Sequence, residues 1–443
     1  MKNIRALYLT DRLIYVVLVI VFFFLFGFVY EIMYSLGKLA FYLLLGILVV
    51  DLILLYTKKE GITASRIVPD RLSNGDDNQI IINLASKYDY QLRARVVDEL
   101  PVQLQIRDQE FDMKLGSKDG KRISYTIRPV RRGDYLFGSI NIFVRSAIGL
   151  LERKYRFDDG HTALVYPSFI QMRKYELLAL TYKLQDEGIK KIRRIGQNKE
   201  FEQIKDYVVG DDIRTLNWKA TARVNKLMVN TYQDEKSQQV YSLINKGRVM
   251  QMPFEGMTLL DYAINASLAI SNIALKKDDK PGLVTFQHKV ATVLPASKRK
   301  SQIRYFLDVL YREKTAFKET DYSKLYSLVK SKINKRSMLL MYTNFESLSS
   351  MRQQLPFLKK IAASHLLVCI IFENTELKEL IRSEVKSLDD IYTKTIAEKL
   401  AFEKKMIARE LNKIGIQTIL TKPTDLTVNS INKYLEVKAR GML

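Results

Sequence analysis

The sequence predicts an N-terminal pair of apolar helices, then an all-β domain, then an α/β unit on a mainly parallel sheet covered by helices on both faces. Three observations carry this. Two long apolar runs open the chain, short β-forming runs with turn signals follow to about residue 169, and apolar runs then alternate with helical stretches. At 443 residues the chain exceeds one ordinary domain. The boundaries fall at 1–59 for the helical pair, 60–169 for the β domain, 170–236 for a linker helix and a charged motif, and 237–443 for the α/β unit.

The first apolar run, Leu13–Tyr30, carries no charge, and the second, Leu39–Tyr56, carries only Asp51. A spanning helix needs about 20 residues, so both runs suffice with their flanks and predict a transmembrane hairpin with spans at about 13–30 and 39–56. A signal peptide is the alternative for the first run, but no small-residue cleavage site follows it and the second run would remain. Lys2, Arg5 and Arg12 precede the pair, Lys58 and Lys59 follow it, and the connector offers Lys38 offset by Glu31. By the positive-inside rule both termini and the soluble domains lie in the cytoplasm. Asp51 is expected to reach toward the interface or to face the partner helix.

Between residues 61 and 169 the runs QIIINL, YQLRARVV, VQLQIR, RISYTIRP, INIFVR and TALVYP are separated by SNGDDN, SKDG and DDG. Six or seven short strands at this spacing suggest a sandwich like an immunoglobulin or fibronectin domain. No catalytic cluster is visible there. Residues 170–200 read as helical and end in the basic run KKIRR. Further on, QVYSLI precedes an amphipathic stretch, Met257–Lys277, and PGLVTFQ, VATVLP, SMLLMYT, HLLVCIIF and IQTILT alternate with helical segments. That rhythm is the one a parallel sheet with helices on both faces requires.

The formal net charge of +23 is unevenly placed, with 16 basic and 6 acidic residues between Lys276 and Arg336. Such a field favours an anionic partner, either a membrane surface, an acidic protein face or nucleic acid. The 25 tyrosines are spread along the chain rather than interleaved in that region, which argues against nucleic acid. The single cysteine, Cys369, sits in an apolar run and excludes an internal disulfide framework. His161, His288 and His365 are far apart and lack metal-ligand spacing. No phosphate loop, dinucleotide fingerprint or nucleophile elbow occurs, so neither an enzyme nor a cofactor is expected.

The densest motif is FEQIKDYVVGDDIRTLNWKATAR, residues 201–223. It gathers Lys205, Asp206, Asp211, Asp212, Arg214, Lys219 and Arg223 around Gly210 and the only tryptophan, Trp218. Gly210 followed by two aspartates predicts a turn into a helix N-terminus, where an aspartate oxygen caps free N–H groups. Ile213, Leu216 and Ala220 then recur at helical spacing as a buried face, with Arg214 and Trp218 four apart on another. The motif reads either as an ion-paired corner between domains or as a partner-recognition site. Catalysis is disfavoured, because no His or Cys stands near and carboxylates flanked by Arg and Lys stay ionised.

Residue for residue, this stretch resembles the signature of a bacterial family known as domain of unknown function fifty-eight. Phe201, Tyr207, Gly210, Asp211, Arg214, Trp218, Ala222 and Arg223 match the family pattern, and Lys205 stands where the family has arginine. Ser146 and Ala147 occupy the positions of an Asp-Pro pair in another family element. The resemblance implies that the α/β unit is a von Willebrand factor A-like domain. In that fold D-x-S-x-S at the end of the first strand helps to hold magnesium through hard oxygen ligands. Here the matching stretch is Asn245-Lys246-Gly247-Arg248-Val249, and a later acidic position reads Asn344, so no metal is expected. Binding through this face would use Lys246 and Arg248. The resemblance further implies a membrane-bound adaptor that assists a MoxR-type AAA+ ATPase in envelope protein assembly at the bacterial inner membrane. The alternative is an electrostatic binder of anionic lipid or nucleic acid through residues 276–336.

Overall fold

The computed structural model describes residues 7–106, 109–158, 160–180, 199–209, 211, 213–234, 237–383 and 387–442. They form two compact units, Met1–Val165 and Tyr166–Leu443.

In the first unit a short strand, β1 (Leu7–Leu9), leads into helix α1 (Asp11–Gly27), and α2 (Glu31–Tyr56) folds back along it. Residues 31–38 therefore belong to α2 and are not a connector. Glu31 suits the first turn of a helix, and Lys38 sits 4.2 Å above the Tyr34 ring one turn away. Gly27 and Gly37 allow close approach: a Cβ on Gly27 would lie 2.8 Å from the Tyr34 backbone. α2 is long and apolar enough to cross a membrane, whereas α1 has 17 residues.

The strands that follow are β2 (Ile62–Ile67), β3 (Arg71–Ser73), β4 (Asn78–Ser86), β5 (Leu92–Asp98) and β6 (Glu110–Leu115). The remainder are β7 (Gly120–Ile127), β8 (Gly133–Phe137), β9 (Ile140–Arg145), β10 (Leu151–Phe157) and β11 (His161–Tyr166). They make three sheets, β1-β10-β9-β5-β6, β2-β4-β7 and β3-β11-β8. The run VQLQIR is not a strand: after Pro101, Val102–Leu104 forms a 3-10 turn that ends in Gln105 at positive φ. The strand β10, rich in charge, was not among the expected runs. One apolar core joins the sheets to Leu13, Ile20, Leu44 and Leu55 of the two helices.

Asp51 meets neither expectation. Its carboxylate is fully buried against the loop between β9 and β10. It accepts from the Leu150 and Leu151 N–H groups, each at 2.9 Å, and from the Ser146 hydroxyl. On the other side of that loop the Thr10 hydroxyl donates to the Gly149 and Leu150 carbonyls at 2.9 Å. The last turn of α2 is closed by side chains as well. Tyr88 donates to the Leu55 carbonyl and Tyr90 to that of Leu54, both at 2.6 Å. Arg153 donates to the carbonyls of Leu55, Lys58 and Lys59 at 2.7, 2.8 and 2.7 Å. Carbonyls that end a helix without a partner are thereby satisfied, and the guanidinium stands at the negative end of the helix dipole.

The second unit opens with α3 (Phe169–Leu180); KKIRR lies outside the described residues. A hairpin of β12 (Lys199–Asp206) and β13 (Met228–Asp234) holds α4 (Trp218–Val224) in its connection. Then come β14 (Gln239–Asn245), β15 (Pro253–Phe254), β16 (Met257–Thr258), α5 (Leu259–Lys276), β17 (Lys280–Phe286), β18 (Val290–Leu294), α6 (Gln302–Arg312) and α7 (Tyr322–Lys332). The chain continues through β19 (Met338–Thr343), α8 (Leu348–Ser364), β20 (Leu366–Phe372), α9 (Thr375–Arg382), α10 (Leu388–Lys413), β21 (Gln417–Thr421) and α11 (Leu426–Ala439). The sheet order is β18-β17-β14-β19-β20-β21, parallel except for edge strand β18.

Helices α5, α6 and α11 pack on one face of this sheet, and α7, α8 and α10 on the other. The stretch expected to be amphipathic, α5, is buried almost all round. Two of its asparagines are held by α3 and the chain leading into it: Asn265 accepts from the Ser168 N–H at 2.9 Å, and Asn272 donates to Glu176 at 2.6 Å.

Asp51→Leu leaves two buried N–H groups and a hydroxyl without an acceptor, each worth ~1–3 kcal/mol. Thermal unfolding of the full chain in detergent should therefore fall by several degrees, with a smaller loss for Asp51→Asn, which keeps one acceptor oxygen. An unchanged midpoint for Asp51→Leu contradicts the assignment of these hydrogen bonds to folding.

Candidate functional site

The 201–223 motif forms the hairpin β12–α4–β13. Gly210, Asp212 and the side chains of Phe201 and Arg214 lie outside the described residues, and with them the expected Arg214–Trp218 contact. Asp211 caps a turn rather than a helix. One carboxylate oxygen accepts from the Val208 N–H at 3.1 Å and the other from the Lys205 ammonium at 3.0 Å. The Val208 N–H, followed by Lys205, holds this carboxyl below the usual aspartate range.

The helix starts later than expected, because its cap is Asn217. The Asn217 side-chain oxygen accepts from the Ala220 N–H at 3.0 Å, and its amide donates to Asn230 at 2.8 Å. Thr221 completes the tie by accepting from the Met228 N–H at 3.0 Å. Arg223 lies in the last turn of α4, where a cation suits the dipole, and Tyr207 is half-buried, its N–H donating to the Leu227 carbonyl at 2.9 Å.

Of the expected buried face, Leu216 and Ala220 are half-buried and Ile213 is open. Val209 is 94% exposed, Ile213 and Trp218 69% each, and Val208, Val224 and Leu227 are exposed beside them. Among the described residues of the hairpin only Val229 is buried. A hairpin needs an apolar face covered to be stable, and clustered exposed apolar residues mark an interaction surface. The adjacent valines at 208 and 209, in a turn rather than a strand, are the sequence signal that sequence reasoning passed over.

The loop after β14 lies at the carboxyl ends of the parallel strands. There the connection from β14 runs to β17 on one side and that from β19 to β20 on the other, opening the crevice typical of such a switch point. A cavity of about 290 Å³ is lined by Asn245, Arg248, Thr320, Tyr322, Asn344 and Glu346, with Val249 beside them. Asn245 is fully buried and its amide is saturated. It donates to Thr343 at 2.9 Å and accepts from the Gly247 N–H at 2.8 Å and the Thr320 hydroxyl at 2.7 Å. A Cβ on Gly247 would stand 2.2 Å from the Thr320 oxygen, so close packing requires glycine there.

Lys246 does not line this cavity. Its ammonium is buried against Glu313, which also accepts from Thr285 and Thr292 at 2.9 Å. Arg248 does reach the rim and pairs with Glu346 at 2.9 Å. Asn344 accepts from the Lys404 ammonium at 2.6 Å, a contact invisible in sequence because α10 and β19 are remote in the chain. Burial pulls Lys404 down to about 8. Cys369 is buried on β20 and its thiol is pushed up by desolvation, away from nucleophilic duty.

The basic surplus of 276–336 divides between the two faces of the sheet, since α6 packs on one and α7 on the other. Several of its cations are paired, Lys276 with Glu176, Lys298 with Asp278 and Lys324 with Asp321. Among the described residues no three His, Cys, Asp or Glu side chains gather as metal ligands.

Residues 203–403 match the family described as "Protein of unknown function DUF58". That stretch of the chain, which holds most of the 201–223 motif, is therefore similar to the DUF58 family. The uncharacterized protein YeaD of Bacillus subtilis (strain 168) is 25% identical over 208 residues, 45% of this chain and 51% of YeaD. The chain thus spans about half the length of that curated relative. Among solved structures, the conserved hypothetical protein BatB from Bacteroides thetaiotaomicron is 11% identical at a TM-score of 0.32, over 46% of this chain and 98% of BatB. The CARDB domain of PF1109 from Pyrococcus furiosus is 16% identical at 0.17, over 24% and 86%. Scores this low carry no inference about the fold. The DUF58 match takes in both the hairpin from Gln203 and the cavity at the sheet's carboxyl edge.

Lys404 gives this region a pH signature. Its folded pKa lies below the ordinary lysine value, so between about pH 8 and 10.5 the unfolded chain holds the proton that the folded chain has lost. Stability contributed by this group then rises with pH through that window. Relative to Lys404→Met, the wild type should gain roughly 1–2 kcal/mol between pH 7.5 and 9.5 in thermal unfolding. A difference that stays flat with pH contradicts the burial of this ammonium.

Proposed function

We propose that this protein is a non-enzymatic adaptor anchored in the bacterial cytoplasmic membrane. In this reading α1 and α2 cross the membrane as a hairpin, with both termini and both units in the cytoplasm. The first unit is an immunoglobulin- or fibronectin-like domain carrying the anchor. The second is a von Willebrand A-like domain whose metal loop, at Asn245, Gly247, Val249 and Asn344, is degenerate and binds no ion. The family resemblance suggests a MoxR-type AAA+ ATPase as its partner in envelope protein assembly or maturation.

The observation that supports a protein partner is the exposed cluster of Val208, Val209, Ile213, Trp218, Val224 and Leu227 on the hairpin. Tryptophan is among the residues that dominate protein interfaces when covered, and a single-tryptophan chain that leaves it in solvent keeps it ready for one. Asp211 and Lys205 hold the turn that presents the valines. The support for anchoring is α2, together with the exposed apolar side chains along both helices.

The test is photo-crosslinking in native membranes from a probe placed at Ile213 of the full chain. The expected adduct is a MoxR-type ATPase, lost when Trp218→Ala and Val209→Ser are combined while the unfolding midpoint stays put. Failure to form that adduct removes the partner, and an adduct indifferent to those substitutions moves the contact away from the hairpin.

A further inference from the structure

We propose that the outer face of the sheet β1-β10-β9-β5-β6 binds the headgroup of an anionic phospholipid. The inference rests on the reading that α1 and α2 cross a membrane, and it adds a site in the first unit, outside the DUF58 match.

Strand register places the charges. Tyr8 pairs with Glu152, Glu152 with Arg145, Arg145 with Arg93, and Arg93 with Lys114, so these five residues form one line across the sheet. The neighbouring line contains Leu9 and Leu151, and the chain leaves it through Thr10 to begin α1 at Asp11. The charged line is therefore one residue step, about 3.3 Å, from where the chain departs for the helices. With neighbouring strands about 4.8 Å apart it runs roughly 19 Å across the sheet. Such a row lies level with lipid headgroups.

A cavity of about 400 Å³ opens on this face, lined by Arg93, Arg95, Lys114 and Arg145 with Asp112 and Phe143. Four cations and Asp112 line it, and although Glu152 and Glu110 offset Arg145 and Arg95, the cations left over suit a phosphate ester. Arg145 and Arg95 share Glu152, and Arg95 also stands 3.7 Å from Glu110. Arg93 and Lys114 are exposed and make no ion pair among the described residues. Phe143 supplies the floor: the Arg95 guanidinium lies 4.9 Å above its ring and the Lys154 ammonium 5.4 Å. Tyr8 meets the same ring edge-on at 5.5 Å, and Tyr8 and Leu9 are exposed at the edge nearest α1. Exposed tyrosine and leucine beside a basic row are the composition of a membrane interface. Charge complementarity and proximity to the helices thus favour lipid over a soluble acidic partner.

The experiment is native mass spectrometry of the full chain in detergent, with equimolar phosphatidylglycerol and phosphatidylcholine added. The expected result is preferential retention of phosphatidylglycerol, reduced about tenfold by Arg93→Gln with Lys114→Gln. Equal charge removal at Lys289 and Lys300 in the other unit should leave it unchanged. Retention by the Arg93→Gln, Lys114→Gln variant equal to wild type overturns the inference, as does full displacement of the lipid by millimolar inorganic phosphate. A carbonate wash of native membranes separates the two readings. Release of the chain overturns the anchor and this site together, whereas retention with unaltered lipid binding overturns the site alone.

Discussion

A buried carboxylate is tolerated only where enough donors surround it, and Asp51 has three: two backbone N–H groups and a hydroxyl from one loop. Those donors can converge only because residues 146–151 fold into a tight turn. Gly149 has positive φ there, and the Ser146 oxygen accepts from the Ile148 N–H. The acid on α2 and the turn between β9 and β10 are thus conditions of one another. Thr10 grips the same turn from the chain leading into α1, so the apolar helices and the β sheets share one polar junction as well as one core. Arg153 and two tyrosines close the end of α2 beyond it, which extends the rigid contact over the helix's last turn.

The second unit solves a different problem. Its six-stranded sheet is apolar on both faces and must be covered twice, so α5 is buried almost all round instead of lying at the surface. Asn265 and Asn272 on it then need partners, and α3 and its leading residues supply them. At the carboxyl edge of the same sheet the polar residues saturate one another: Asn245 with Thr343, Thr320 and the Gly247 backbone, Lys246 with Glu313. What stays open is a cavity rimmed by Arg248 and Glu346, and a hairpin on which Val208, Val209, Ile213 and Trp218 face solvent.

Much of this was legible in the chain. Strand-length apolar runs marked the parallel sheet because strands buried on both faces carry no alternation to confuse them. Asp51 stood out as the only charge in its run, yet its donors lie about a hundred positions away and left no local trace. The strand β10 was missed for a related reason: LERKYRF is rich in charge, with Glu152 paired to Arg145 across the sheet and Arg153 turned to the end of α2. In the 201–223 motif helical spacing misled, since Ile213, Leu216 and Ala220 share a period while the helix begins only at Trp218. Asn217 outcompeted the aspartates as cap because Asn230 and the Met228 backbone hold it in place.

Amide hydrogen exchange at Leu150 and Leu151, in the full chain held in lipid nanodiscs, reads the Asp51 junction directly. Leu150 sits in the loop and Leu151 opens β10, and the N–H of each donates to the Asp51 carboxylate. The expected result is exchange as slow as that of the neighbouring sheet amides, accelerated by orders of magnitude at these two positions in Asp51→Ala. Exchange in the wild type at the rate of an ordinary exposed loop would contradict the junction.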